Sequence, residues 1–366
     1  MVSVDKTGDG LPVAPRIHNV VVTGSAGFIG TALLKRLSSD VSITSLRGID
    51  ILEPAGAGSG STHTRADVLA PGLENLLVGA DTVVHLAGVA DSRNGDELAA
   101  RTNIDGALRV LDACASCGVT TIIRVVPTSI YGAWPTNPSE LTEDSAIRPV
   151  PGFLPAVHAA EVERRLLDWR FEHPSIRVVT LRSAPVLGSG ADHMWSRVLA
   201  GPTRLRVRGT KIALQVVHPD DVASAISFAI ANGLDGSYNL CANGVITPES
   251  VDELLGRSWI PALPAELLER LLVRASRLRI GEIPPEVVPY LQYPCVISNK
   301  KLLDAGWIPS YSSKDALEDA LLDGVRGGVS ATIDSLPAPS WLRRAGFALG
   351  VLTLSSLLIS RLRTKK

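Results

Sequence analysis

The stretch Val20-Val-Val-Thr-Gly-Ser-Ala-Gly-Phe-Ile-Gly30 decides how this chain folds. The apolar run His18-Asn-Val-Val-Val22 has the character of a buried parallel strand, and Ile29 to Leu37 has helical periodicity. Gly24, Gly27 and Gly30 therefore fall on a strand-to-helix turn. Gly24 permits the tight turn, Gly27 lets backbone approach phosphate oxygens, and Gly30 lets the helix lie close on the strand. The helix N-terminus adds unpaired N–H groups and the positive end of a dipole, so the turn is shaped to hold a pyrophosphate.

An acidic residue about 20 positions further on, closing a second strand, is expected to bind the adenosine ribose of a dinucleotide. Ser42-Ile-Thr-Ser-Leu-Arg-Gly-Ile-Asp50 supplies it. Asp50 would accept hydrogen bonds from both ribose hydroxyls and repel a 2′-phosphate, which favours NAD over NADP; Arg47 argues the other way. Beyond it, His63 to Val68 and Thr82 to Leu86 read as strands flanking a short helix from Gly72 to Val78. A longer helix from Ile104 to Gly118 leads into another buried strand, Thr121 to Val126. Such β-α alternation predicts an α/β fold, a Rossmann-type doubly wound parallel sheet whose cofactor lies outside the carboxyl ends of the strands.

With 366 residues, a net charge of −1 and 45% hydrophobic content, the chain has room for one large α/β core and a smaller lobe. Nothing basic enough for nucleic acid is present. The start, Met1-Val-Ser-Val-Asp-Lys6, lacks an apolar secretory core, so a cytoplasmic location is expected, with residues 1–16 as a flexible arm. Cys114 and Cys117 form a C-x-x-C at a helix end with no second pair to complete a zinc site, which favours core packing and no metal. Ala55 to Thr62 reads as a short flexible loop.

These residues resemble the extended short-chain dehydrogenase/reductases, the NAD-dependent epimerase/dehydratase family. The matching pieces are the glycine-rich turn, Asp50, Ala66-Asp67-Val68, His85-Leu-Ala-Gly88, Asn103-Ile-Asp-Gly106, Ser129-Ile-Tyr-Gly132, Leu181-Arg182, Val217-His-Pro-Asp-Asp-Val222 and Leu303-Asp-Ala-Gly-Trp-Ile-Pro309. They run in family order from about residue 17 to 325. The resemblance implies that Asp67 and Val68 hold the adenine ring and that Leu86, Ala87 and Gly88 line the cofactor channel. It adds Ala26, Phe28 and Ile29 on the turn, and Ile51 beside Asp50, to the NAD-binding set. It implies a smaller C-terminal substrate lobe drawn from Gly188 to Leu214 and Leu234 to Tyr293. The resulting division is 1–16 arm, 17–187 mainly NAD-binding domain, 188–330 substrate lobe interleaved with returning Rossmann elements, and 331–366 linker and apolar C-terminal helix.

Redox members of the family carry a Tyr-x-x-x-Lys pair on the helix after the fifth strand, and a Ser or Thr four residues before the tyrosine of Val-Tyr-Gly. The tyrosine is the general acid/base, and the lysine lowers its pKa and holds the nicotinamide ribose. No tyrosine occurs between Tyr131 and Tyr238 and no lysine between Lys35 and Lys211, so the pair is absent under any alignment. With the helix set by Ala160-Glu161, Phe153 takes the tyrosine position and Val157 the lysine position; Pro127 takes that of the Ser/Thr. Thr128 is next door, but strand alternation would turn it to the opposite face. Pro185 and Leu214 stand where nucleotide-sugar members place an Asn and an Arg on substrate phosphates, which makes a sugar-nucleotide substrate doubtful. His158, Glu161, Glu143, Asp144 and His193 are the titratable groups expected near the cleft, and the catalytic candidates are His158 and, as an imperfect substitute for the Ser/Thr, Thr128.

Two readings follow. One is an NAD(H)-binding, catalytically silent member acting as sensor or partner; the other is an atypical NAD-dependent oxidoreductase, epimerase or dehydratase with another acid/base and a sugar- or lipid-like substrate. By analogy with relatives, helices near Ala99 to Gly118 and Ala159 to Phe171 would pair two copies as a homodimer. Outside the resemblance, Ala345 to Ser360 is uncharged and flanked by Trp341, Arg343 and Arg344 before it, and Arg361, Arg363, Lys365 and Lys366 after it. This stretch falls just short of the ~20 apolar residues that span a bilayer. It reads either as a terminal helix docked on protein or as a tether to the cytoplasmic membrane face through residues 341–366.

Overall fold

The computed structural model describes residues 18–54, 60–89, 96–199, 205–210, 213–255, 262–278 and 283–330. The N-terminal arm, most of the Ala55–Thr62 loop and the apolar tail lie outside the described residues. Among the described residues no helix is long and apolar enough to cross a membrane. The chain divides into the units Met1–Ala320 and Leu321–Lys366, and the sheet and the cleft described below belong to the first.

Strands β1 (His18–Thr23), β2 (Ile43–Asp50), β3 (Thr62–Arg65), β4 (Thr82–His85), β5 (Thr121–Pro127), β6 (Arg177–Ser183) and β7 (Gly236–Leu240) form one sheet in the order β3-β2-β1-β4-β5-β6-β7. Every pairing is parallel. The order reverses beside β1, which makes the gap between β1 and β4 the switch point where such sheets bind ligands. The fold is the doubly wound Rossmann arrangement that the sequence predicts.

Both faces are covered, which is why the central strands are continuously apolar. Val20, Val22, Val84, Ile123, Val179 and Leu181 pack on one face with residues of α1 (Phe28–Leu37) and α7 (Pro219–Asn232). Val21, Ile49, Val83, Ile122 and Val178 pack on the other with α2 (Leu73–Leu77), α4 (Gly106–Ser116) and α5 (Leu154–Glu172). A short helix α3 (Asp96–Ala100) and a π turn, Arg101–Asp105, precede α4. Cys114 is fully buried in this second core and Cys117 Sγ donates to Glu74 O, so the C-x-x-C is structural.

The sequence reading needs two corrections here. The third strand stops at Arg65, the register partner of Asp50, because β2 offers no further residue to pair; Asp67 and Val68 lie in the following loop. The segment from Gly236 to Leu240, expected in the lobe, is instead the seventh sheet strand, paired to Val179–Ser183 of β6. The remaining helices are α6 (Met194–Leu199), α8 (Pro248–Leu255), α9 (Ala265–Arg277), α10 (Lys300–Asp304) and α11 (Ser313–Ser330). The Val217–Val222 motif anchors this returning part. Asp221 accepts from the backbone of Ser310 and Tyr311, at 2.8 and 3.0 Å, and His218 caps α7 through Asp220 N.

Candidate functional site

A cleft of about 490 Å³ opens at the carboxyl ends of the strands, and the glycine-rich turn forms one wall. Gly24 has φ +74°, and a Cβ there would lie 2.5 Å from Ala87 N; a Cβ on Gly30 would lie 2.2 Å from Gly24 O. Helix α1 begins at Phe28 with Gly27 as its N-cap and no side-chain cap, which leaves its first N–H groups available to an anion. Phe28, Ile29, Leu86, Ala87 and Gly88 line the same cleft.

Asp50 closes β2 beside this turn. Its carboxylate accepts from Ala26 N at 2.9 Å and Leu52 N at 3.0 Å, so it braces the turn while keeping acceptor sites free, since a carboxylate has about four. Ile51, next to it, is exposed. Asp67 Oδ1 accepts from Leu69 N, and Val68 is buried against Gly106. Arg47, the residue that argued for a 2′-phosphate, donates to Val78 O on the amino side of β4, and Arg65 donates to Ile51 O.

On the far wall the structure shifts the phase of α5. Phe153 lines the cleft, but Val157 does not; it borders a separate groove with Glu161, Arg164 and Leu167. The α5 residues four apart that face the cleft are Pro155 and Ala159, continuing the buried stripe Val162, Leu166, Trp169 backward. Taking Ala160-Glu161 as the anchor set the helix two residues out of phase. Neither Pro155 nor Ala159 carries an ionisable side chain. Thr128 does not follow strand alternation either. Beyond Pro127 the chain leaves β5 for a 3₁₀ turn, Thr128–Tyr131, and Pro127, Thr128 and Ser129 all line the cleft. The Ser129 hydroxyl is buried without a hydrogen-bond partner among the described residues, a feature the sequence did not single out.

The other titratable candidates are committed elsewhere. His158 is buried off the cleft wall, with Nδ1 3.3 Å from Asn103 Nδ2, and burial lowers its pKa. Asn103 in turn clips Val89 through both its N–H and its carbonyl, at 2.7 and 2.9 Å. His193 lines the cleft, but Nε2 donates to Val186 O at 2.6 Å and Nδ1 accepts from Ser196 N. Glu161 is held to a pKa of about 2 by hydrogen bonds from Arg164 and Arg165. Glu143 accepts from Asn239 N, and Asp144 is exposed outside the cleft lining. Tyr290, a cleft residue contributed from far along the chain, donates to Ser129 O at 2.8 Å, and burial pushes its pKa up. Burial likewise pushes the Cys295 thiol up to about 12.

His85 sits at the end of β4 with Nδ1 2.8 Å from Thr23 Oγ1, and burial, then the nearby Arg124 charge, lower its pKa to about 3. It is neutral in the folded state, whereas the unfolded chain takes up the proton near pH 6.5. Stability from this residue is therefore complete above that pH and lost as pH falls toward 3, by up to about 1.4 kcal/mol per pH unit. Urea titrations at several acidic pH values should show a flatter pH dependence for His85→Gln than for the wild type; equal slopes would show that His85 is not the titrating group.

The model of the NAD dependent epimerase/dehydratase family matches residues 20–241. The chain belongs to that family. An uncharacterized protein of Mycobacterium tuberculosis is 28% identical over 346 residues, 91% of this chain and 90% of its own. Vestitone reductase of Medicago sativa is 25% identical over 333 residues, covering 82% and 95%. The structure of Thermus thermophilus UDP-glucose 4-epimerase in complex with NAD superposes with a TM-score of 0.64 at 25% identity, covering 83% of this chain and 98% of that one.

NAD is the family's cofactor, and the residues present fit it. The turn has room for backbone approach only because positions 24 and 30 lack a Cβ, and Asp50 stands beside it with acceptor capacity to spare. One wall of the cleft beyond the switch point is apolar. Phe153 packs on Tyr290 with ring centroids 5.0 Å apart, Trp195 meets Tyr290 edge-on at 6.0 Å, and Met194, Leu199, Pro185 and Leu214 complete the wall. Pro185 and Leu214 thus stand in the lining as residues that cannot bind a phosphate.

Proposed function

We propose that the chain is an NAD(H)-binding member of the family without the usual proton-transfer apparatus, acting as a sensor or partner that responds to what lies against the nicotinamide. The observation that carries this reading is the α5 wall, where Pro155 and Ala159 face the cleft. Bound NAD(H) supplies or accepts hydride; the chain's part would be to give or take a proton at the substrate oxygen, and the cleft side chains are poorly placed for it. Tyr290 keeps its proton on Ser129 O, and both His193 nitrogens are occupied. The aromatic and aliphatic wall of Phe153, Trp195, Tyr290 and Leu214 supports an apolar, ring-bearing ligand rather than a nucleotide sugar. Leu167 and Phe171, 71% and 88% exposed on α5, support pairing of two copies through that helix.

A second reading, an atypical reductase of an apolar substrate, draws support from Thr128 and the unpartnered Ser129 hydroxyl on the cleft wall. Similarity to a plant reductase points the same way.

Cofactor choice tests the binding half. Calorimetry with both cofactors should give tighter binding of NAD(H) than of NADP(H). Asp50→Asn should weaken NAD(H) by about 10- to 100-fold, the equivalent of one or two hydrogen bonds to a charged group, and narrow the preference. Equal affinity in the wild type would remove Asp50 from this role.

A further inference from the structure

Arg124 is a charge in an unexpected place. It occupies the middle of β5 in register with His85 of β4, its side chain is 5% exposed, and the residue is part of the cleft lining. The small Ala107 of α4 and Ala159 of α5 line the cleft with it. Its carboxylate partner is Glu163 Oε1, at a long 3.4 Å. Glu163 is shared, since its other oxygen lies 3.3 Å from Arg182 Nη2. Arg182 has acceptors of its own, Tyr131 Oη at 2.9 Å and Glu143 O at 2.8 Å. Arg124 Nε is buried with no hydrogen-bond partner among the described residues. A buried guanidinium whose ion-pair contact is stretched and shared is an under-compensated cation, and its field in a low-dielectric cleft is strong.

The sheet order says which part of a dinucleotide would feel it. Asp50 fixes the adenosine half over β2, and the glycine turn after β1 holds the pyrophosphate, so the nicotinamide half extends across the switch point over β4 and β5. Arg124 belongs to that side. The oxidised nicotinamide ring carries a positive charge and the reduced ring none, while the rest of the dinucleotide is the same in both. We propose that Arg124 is a fixed cation beneath the nicotinamide end of the cleft and that it makes this chain bind NADH in preference to NAD+. The inference rests on the NAD(H)-binding reading and gives the sensor a state to sense.

A unit charge ~10 Å away at an effective dielectric constant of about 20 corresponds to roughly tenfold or more in affinity. The test is calorimetric titration of the full-length protein with NADH, NAD+ and ADP-ribose, the last lacking the nicotinamide. Wild type should bind NADH about tenfold tighter than NAD+. Arg124→Met should bring the two toward parity while leaving ADP-ribose affinity unchanged, and Arg124→Lys, which keeps the charge, should keep the preference. Should Arg124→Met fail to fold, Arg124→Gln serves as the uncharged variant. Wild-type binding of NAD+ as tightly as NADH, or a preference that persists without the charge, would overturn the proposal. Failure of ADP-ribose to bind wild type would overturn the cofactor reading itself, and this inference with it.

Discussion

Gly30→Val abolishes dinucleotide binding, with the affinity for NAD(H) and ADP-ribose falling by at least about 100-fold. The expectation comes from the position of the missing atom: a Cβ on Gly30 would lie 2.2 Å from Gly24 O and 2.8 Å from Ser25 C, both backbone atoms that cannot turn aside. Either α1 moves off β1 or the turn opens, and both displace the N–H groups that would face a pyrophosphate. Overpacking of this kind costs about 1–3 kcal/mol in stability, so the variant should still fold while its cradle is lost. Gly24→Ala adds a left-handed backbone at φ +74° and a Cβ 2.5 Å from Ala87 N, and should behave alike. Gly79→Ala is the control, because its φ of +75° brings the same strain with nothing within 4 Å of the new Cβ. It should lower the melting temperature and leave cofactor affinity intact; a comparable loss of affinity would mean that strain, not cradle geometry, is being read.

The second large effect concerns the α5 wall. Wild type should turn over carbonyl substrates with NADH very slowly, and the triple substitution Pro127→Ser, Pro155→Tyr, Ala159→Lys should raise the rate by about 10²-fold or more, the usual contribution of a positioned acid/base. The out-of-phase set Pro127→Ser, Phe153→Tyr, Val157→Lys should not, because Val157 faces the groove beside Glu161 and Arg164. Steady-state rates with a panel of aromatic and aliphatic ketones compare the two. Equal gains from both sets would contradict the assigned helix phase.

The cofactor half was legible because its constraints are local and chemical. A glycine at 24 and at 30 is demanded by backbone atoms a few residues away or just past the adjoining strand, and Asp50 lies at a fixed distance along the next strand. For the α5 wall the composition was legible and the phase was not. That no tyrosine or lysine was available needed only counting, whereas deciding which residues face inward needed the buried stripe of α5. Val162, Leu166 and Trp169, extrapolated one turn back, would have pointed to Ala159 and Pro155. The 3₁₀ turn that brings Thr128 and Ser129 to the cleft breaks the period-two rule where the strand ends, at Pro127. Tyr290 and Cys295 reach the cleft from more than 160 residues beyond Thr128, as the Cys295 Sγ contact to Thr128 O shows, and no local pattern announces such closure. Arg124 was passed over because its strand reads as apolar, and its pairing with Glu163 spans 39 residues.

One fluorescence experiment tests the central claim, that this chain holds NAD(H) without conventional turnover. NADH is added to the full-length protein until its emission shows the bound state, and apolar and sugar-type carbonyl compounds are then introduced while the signal is followed. The expected record is an enhanced emission on binding that shifts or holds when a ligand enters, with no decay as NADH is consumed. A steady loss of reduced cofactor with any of these compounds, eliminated by replacing Thr128 or Ser129, would contradict the claim and establish the chain as a reductase.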